Sequence, residues 1–376
     1  MKKKKSLLTL VMIGCLLLGG CGKEEPVQEM PESQMTEETN SETETQAETT
    51  EETTEETVVE EVVKDETFLW LAYWNYKGYE QELACLGENN RAVSVFGVLF
   101  DCNGDKPFLT PETEELLTKV KAGKGENEVV YLSFINDLRL EDGSYSNKDP
   151  ELLARLFEQP ENRERHIAEI VEFACESGVD GIEIDYENLK KKEELWEPFC
   201  LFLEELKKQC DEKGLLLRVV LGAYDVDKAQ FPEGIEYAVM CYNLYGTHSG
   251  PGPKADVTFL RETFEKCKAL PGNVSAAFST GGFVWAGDKC EKALTETEAA
   301  ELYASLGENA SALERDSASG ALHFTYTQDG VCREVWYADG ETLCLWKQTA
   351  KEYGITRFSL WKAGGNVSES LRSFVE

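Results

Sequence analysis

Gly178-Val-Asp-Gly-Ile-Glu-Ile-Asp-Tyr-Glu187 is the stretch on which the fold turns. Three carboxylates, Glu183, Asp185 and Glu187, recur at every second residue inside an otherwise apolar β-type run. In a strand they share one face, while Ile182, Ile184 and Tyr186 share the other. A helical pattern precedes the run (His166 to Ser177) and another follows it (Leu189 to Lys213, with Leu195, Trp196, Phe199, Leu203 and Leu206 along one side), so it reads as the strand of an α-β-α unit. Strands of such units lie in parallel sheets, are covered on both faces and normally read as unbroken Val/Ile/Leu. A face carrying three acids contradicts ordinary burial. One setting that allows it is a half-exposed edge strand with a solvated acidic face, but edge strands seldom sit between two long amphipathic helices. The other is the mouth of a (β/α)8 barrel, where functional polar groups stand at the C-terminal ends of the strands.

The chain supplies the remaining strands of a barrel. Phe68 to Asn75, Ala92 to Asp101, Val129 to Asn136, Gly181 to Glu187, Leu215 to Ala223, Tyr237 to Leu244, Val274 to Phe283 and Thr356 to Trp361 read as strands. Helical patterns fall between most of them, among them Pro111 to Lys121, Asp149 to Phe157 and Thr258 to Ala269, and the link between the first two strands carries the weakest signal. Residues 66–376 are therefore expected to form an α/β domain, a (β/α)8 TIM barrel, with a small α+β insertion over 287–342 between strands seven and eight. The insertion holds a helix opening at the capping pattern Thr295-x-Thr-Glu298. It also holds two β-type runs, Ala321 to Thr327 and Cys332 to Tyr337, joined by a hairpin turn at Gln328-Asp-Gly330.

Residues 1–20 open with Lys2 to Lys5 and run through an apolar core, Leu7 to Leu18, too short for a comfortable membrane span; this is the pattern of a signal peptide. Leu18-Gly-Gly-Cys21 resembles the lipobox of bacterial lipoproteins, which implies cleavage before Cys21, lipidation of its thiol and tethering to the outer face of the bacterial cytoplasmic membrane. Residues 21–65 turn to Glu, Thr, Ser and Gln, with 16 acids against two lysines between Lys23 and Asp65. Such a stretch cannot bury enough apolar surface to fold, so it reads as a stalk with a reach of roughly 35 Å. A net charge of −33 argues against a nucleic-acid partner. Ten cysteines fall in the folded domain without a Cys-x-x-Cys pair, and the chain has three histidines, so a zinc site is not expected; no cofactor is expected. Cys332 and Cys344 are the first pair to test for a bridge.

Asp180-x-x-Glu183-x-Asp185-x-Glu187 resembles the Asp-x-x-Asp-x-Asp-x-Glu signature of glycoside hydrolase family 18, which includes chitinases, endo-β-N-acetylglucosaminidases and spore-cortex-lytic enzymes. Glu183 stands where that family usually has Asp, which keeps the charge and lengthens the arm. On strand six, Met240-Cys-Tyr242-Asn243 is similar to the family's Met-x-Tyr-Asp, with Asn in place of the acid, and Ser359-Leu-Trp361 is similar to the end of its last strand. Arg333 to Asp339 is similar to what precedes that strand in the cortex-lytic members, where an insertion deepens one wall of the groove. Leu132-Ser-Phe-Ile-Asn136 lacks the Ser-x-Gly-Gly of many chitinases.

The resemblance implies hydrolysis in which the sugar's own 2-acetamido oxygen attacks C1, so that the protein supplies an acid and a group holding the acetamide N–H. Glu187 would be the acid and then the base for water. Asp185 would orient the acetamide, Glu183 would support Asp185, and Tyr242 would bond the acetamido carbonyl. Asn243, Met240 and Trp361 would contact the sugar, and Tyr73, Trp74, Tyr245 and Trp285 also fall near strand ends on the mouth side, where aromatic rings can stack on sugars. Side chains at i and i+2 on one strand face lie about 6.5–7 Å apart, so neighbouring acids repel and share protons. Glu187 is then expected protonated near neutrality, with Glu183 and Asp185 sharing a proton. The expected partner is a polysaccharide containing N-acetylglucosamine, peptidoglycan first, and the expected state is a monomer. The rival from another class is a non-catalytic glycan-binding lipoprotein on the same barrel. Such proteins have typically lost the acid at the position of Glu187. A solute-binding lipoprotein would need two α/β lobes rather than eight evenly recurring strands.

Overall fold

Eight parallel strands pair edge to edge around a closed ring: Glu66–Ala72, Asn90–Phe100, Val129–Arg139, Gly181–Asp185, Leu216–Gly222, Glu236–Met240, Asn273–Phe278 and Arg357–Leu360, with the last strand paired to the first. This is the (β/α)8 barrel. The computed structural model describes residues 64–376. The expected signal peptide, Cys21 and the expected stalk as far as Val63 lie outside the described residues. Asp65, read from sequence as the end of the stalk, belongs to the domain: its carboxylate lies 3.0 Å from both Lys347 and Lys351.

The outward faces of the strands form one large apolar core with the surrounding helices. Several helices start where the sequence places a capping side chain. Thr110, Asp149 and Asp256 each accept a backbone N–H of the first turn of the helices Pro111–Gly123, Pro150–Phe157 and Val257–Cys267. The weakly signalled first link is an eight-residue helix, Tyr79–Leu86, whose short length leaves little periodicity to read. Ahead of the fourth strand, Gly178 closes the helix Pro160–Ser177 in the left-handed region at φ 62°. Gly181 opens that strand because a Cβ there would meet the Tyr131 ring at 2.5 Å.

Inside the barrel the layers alternate in character. Phe68, Ala92 and Tyr131 form a lower apolar layer, and Trp70, Val220, Ala238, Met240 and Ala277 an upper one. Buried Arg218 ion-pairs with Glu183 and lies 2.9 Å from Glu236. Arg357 lies 2.7 Å from Glu236.

The seventh strand is shorter than its sequence suggests. The run Val274 to Phe283 breaks at Ser279-Thr280, and Gly281–Ala286 belongs to a separate antiparallel sheet with Lys289–Leu294, Val331–Ala338, Leu322–Gln328 and Glu314–Arg315. The inserted sheet therefore starts at Gly281, ahead of the expected 287. Gly281 and Gly282 make the crossing, because Cβ atoms there would run into the backbone of Leu294 at 2.3 Å and of Trp336 at 1.8 Å. The expected capping box joins Thr295 and Glu298, and Asp329 and Gly330, at φ 54° and 76°, turn the hairpin between Gln328 and Val331. All ten described cysteines are free, and Cys344 donates to the Ser373 carbonyl, so the Cys332–Cys344 bridge is not formed.

Candidate active site

The acid-bearing face of the fourth strand points into the barrel, and its three carboxylates meet different surroundings at different depths. Glu183 is fully buried. Its Oε1 accepts from Trp70 Nε1 at 2.6 Å and Ser94 Oγ at 2.8 Å, and its Oε2 is held by Arg218. The Glu183 side chain thus spans to a guanidinium on the adjacent strand. This corrects the expectation that Glu183 and Asp185 share a proton, because both Glu183 oxygens are engaged elsewhere. Asp180, the first acid of the motif, sits at the opposite end of the barrel, bound by Lys124 at 2.6 Å and by the Val130 N–H at 2.8 Å.

Asp185 stands one step nearer the mouth and is still buried. Its Oδ2 lies 3.2 Å from Lys148 Nζ, while its Oδ1 is buried without a hydrogen-bond partner among the described residues. Burial, opposed by Lys148 and reinforced by Glu187 and Glu183, pushes its carboxyl up to about 7. Glu187, beyond the last residue of the strand, is partly exposed, and its Oε1 lies 2.8 Å from the same Lys148 ammonium. On the outward face between them, Tyr186 is buried with its hydroxyl 2.8 Å from His166 Nε2, which fixes the strand against the helix Pro160–Ser177.

An aromatic floor adjoins the acids. The Phe96 ring lies 5.3 Å from Lys148 Nζ, 4.9 Å from Trp361 and 5.7 Å from Trp74. Trp361 also packs on Trp70 at 5.9 Å. Trp74 is 42% exposed, and Tyr73 meets it edge-on at 5.1 Å. Tyr242 is partly buried against the upper barrel layer, and Asn243 is exposed with Nδ2 3.8 Å from Met240 Sδ. Tyr245 is half-exposed over Gly252 in the loop after the sixth strand.

Two expected sugar contacts are corrected. Trp285 is fully buried in the inserted sheet, with its N–H given to the Ser249 carbonyl at 3.1 Å and its ring against Phe283, so it has no face left for a ligand. Met240 is 7% exposed and packs in the upper barrel layer beneath Tyr242 and Trp361.

The structure adds residues that the motifs leave unmarked. Asn136, buried on the third strand three residues before its end, bonds both the N–H and the carbonyl of Glu187. Asp137 accepts the Lys148 N–H at 2.7 Å, and burial raises its carboxyl above the usual range. Asp225, after the fifth strand, has a buried Oδ1 without a partner among the described residues, and its carboxyl is raised by burial, against the pull of Lys190. Nearness to the C-terminal ends of the third and fifth strands was the available signal for Asn136 and Asp225. Lys148 lies in a loop with no such mark.

A buried acid with a free oxygen, a more exposed acid beside it and an indole floor form a mouth suited to a neutral sugar bearing a hydrogen-bond donor. Over 246 residues the chain is 22% identical to the Bacillus subtilis (strain 168) protein YdhD, which bears the name of a sporulation-specific glycosylase; the match takes in 59% of this chain and 55% of that protein, so the chain spans about half the length of this relative. The fold is similar to that of a chitinase from Chromobacterium violaceum ATCC 12472 (TM-score 0.69, 18% identity, 82% of this chain and 98% of the other). It is equally similar to the Bacillus cereus spore cortex-lytic enzyme SleL (TM-score 0.69, 20% identity, 83% and 74%). Residues 143–365, which carry Asp185, Glu187, Tyr242 and Trp361, match the glycosyl hydrolases family 18, and the chain belongs to that family.

Proposed function

We propose that the protein hydrolyses β-1,4 bonds that follow N-acetylglucosamine, with retention and with help from the substrate's own acetamide. The observation that carries this reading is Oδ1 of Asp185: a buried acceptor without a partner costs free energy until a donor reaches it. An acetamide N–H is such a donor. With Asp185 holding that N–H, the acetamido oxygen is turned toward C1, and Glu187, nearer to solvent, protonates the leaving oxygen and then activates water. Tyr242 steadies the acetamido carbonyl, and Trp361 and Trp74 carry the sugar faces. Glu183 acts from beneath, as part of the scaffold.

Peptidoglycan is the proposed substrate, with the enzyme tethered through lipidated Cys21 outside the cytoplasmic membrane and working as a monomer. A Cys21→Ala chain that still partitions into detergent would refute the tether. For the activity, the protein is incubated with peptidoglycan, chitin oligomers and an N-glycoprotein, and new reducing ends are identified by mass. The expected products end in N-acetylglucosamine, and Glu187→Gln lowers their yield ~10²–10⁴-fold, the usual loss for a general acid. No new ends on any of the three, or an undiminished Glu187→Gln enzyme, would refute the reading. One observation favours glycan binding without turnover: the Lys148 ammonium is ion-paired with both acids. Binding with no new reducing ends is the outcome that would select it.

A further inference from the structure

Lys148 is a charged group in the mouth to which substrate assistance assigns no task. Its Nζ lies 2.8 Å from Glu187 Oε1 and 3.2 Å from Asp185 Oδ2, and its side chain is 13% exposed. The backbone that delivers it is held on both sides. Its N–H goes to Asp137 Oδ1 at 2.7 Å, and its carbonyl accepts from Asn188 Nδ2 at 2.9 Å. Asn188 directly follows the acid, so the loops after the third and fourth strands are clasped together around this lysine. Lys148 itself sits in the left-handed region at φ 50°, a conformation that a lysine keeps only where its surroundings impose it.

We propose that Lys148 is a positioning residue of the reaction, whose ammonium, by bridging Asp185 and Glu187, sets the pH window in which that pair holds a single proton. The inference rests on the reading of Glu187 as acid and Asp185 as holder of the acetamide. Substrate assistance needs the pair in one charge state, with Glu187 protonated and Asp185 ionised. The groups facing the pair are mostly acidic. Glu183 lies below on the same strand, bound to Arg218; Asp137 comes from the third strand; Asp225 comes from beyond the fifth, with Lys190 acting on it. Phe96, from the second strand, brings no charge. Tyr242 stands two residues beyond the sixth strand. Lys148 is the cation within ion-pair distance of both members among the described residues. Without it, repulsion would hold protons on the pair to higher pH. With it, both proton losses occur earlier, and the singly protonated form is reached at lower pH.

The test is the pH dependence of kcat/KM on a chitin oligomer. Lys148→Met removes the charge and keeps the length, and both limbs of the profile should move upward by about one pH unit or more, since an opposite charge at this range shifts a carboxyl by about 1–3. Lys148→Arg should leave the limbs near their original places. Lys148→Asn, which tolerates the left-handed region, gives the same readout should the methionine variant fold poorly. A lysine that only braced the loop would lower the height of the profile or the Tm without moving its limbs. Unmoved limbs in Lys148→Met and Lys148→Asn, together with an inactive Glu187→Gln, would overturn this inference alone. An active Glu187→Gln would overturn the reading beneath it.

Discussion

Asn136 holds Glu187 by its backbone at two points: Oδ1 accepts the Glu187 N–H at 2.9 Å, and Nδ2 donates to the Glu187 carbonyl at 3.0 Å. The ladder between the third and fourth strands ends at Ile135 and Asp185, so the amide of the next residue continues it where the backbone no longer can. The proposed acid thus projects from a fixed peptide at the rim of the barrel.

A displacement of about 1 Å at a reacting group costs on the order of 10²-fold in rate. Asn136→Ala should therefore lower kcat by that order while KM stays within a few-fold, measured by steady-state hydrolysis. Asn136→Asp, which keeps an acceptor and loses the donor, should fall between. An unchanged kcat in Asn136→Ala would show that the clip does not position Glu187.

Arg218 and Glu183 carry a prediction about stability. Their side chains are 1% and 0% exposed, and removing one member leaves the other charge buried. Arg218→Met should cost about 3–5 kcal/mol by urea unfolding. The double variant Arg218→Met with Glu183→Gln should cost less than the sum of the single changes, because the stranded charge is removed as well. Additive losses would mean that the two groups do not depend on each other.

Much of this was legible in the sequence, and what was not has physical causes. The period-two acids between two amphipathic helices identify the fourth strand, and eight evenly recurring runs identify the barrel, because strand and helix periods are local properties. The depth of each acid is not local. Glu183 and Asp185 differ in surroundings because Arg218, Trp70 and Ser94 arrive from other strands. Trp285 shows the same gap: its position near a strand end says nothing of the Ser249 carbonyl that takes its N–H. Lys148 is the extreme case, since neither residue type nor spacing in Ser146-Asn-Lys-Asp-Pro150 marks it.

Glu296, the first residue of the helix Glu296–Leu306, provides a pH prediction away from the mouth. It is buried, it is held by Ser370 Oγ, and it accepts the Val367 N–H at 2.9 Å. Burial outweighs these bonds and pushes its carboxyl from 4.5 up to about 7. The folded state therefore keeps this proton longer than the unfolded chain does. Its contribution to stability is fully present below pH ~4.5 and is lost as pH rises to about 7, where the charged form is the costly one. Glu296→Gln should flatten that slope and gain on the order of 2–3 kcal/mol over the parent at pH 8, with little gain at pH 4. Urea midpoints at the two pH values decide it, and equal differences at both would refute the assignment.

Asp185 combines both kinds of consequence, and its two effects have opposite sign. With its carboxyl raised to about 7, mainly by burial, its ionised form opposes folding, so stability is lost as pH rises from about 4 toward 7. Asp185→Asn removes that cost and should unfold at higher urea than the parent at pH 8. The same change replaces the acceptor that the acetamide N–H needs and the charge that favours the cationic ring formed when the acetamido oxygen attacks C1, so kcat should fall ~10²-fold or more, as for loss of a preorganised electrostatic contact. A substrate whose acetamide is replaced by hydroxyl cannot use this residue, and its residual hydrolysis should not differ between parent and variant. Unimpaired hydrolysis of that substrate by the parent, or a covalent glycosyl adduct on any carboxylate of the domain, would show that the nucleophile does not belong to the sugar. An Asp185→Asn protein that is both less stable at pH 8 and fully active would remove Asp185 from the chemistry and leave it a role in packing.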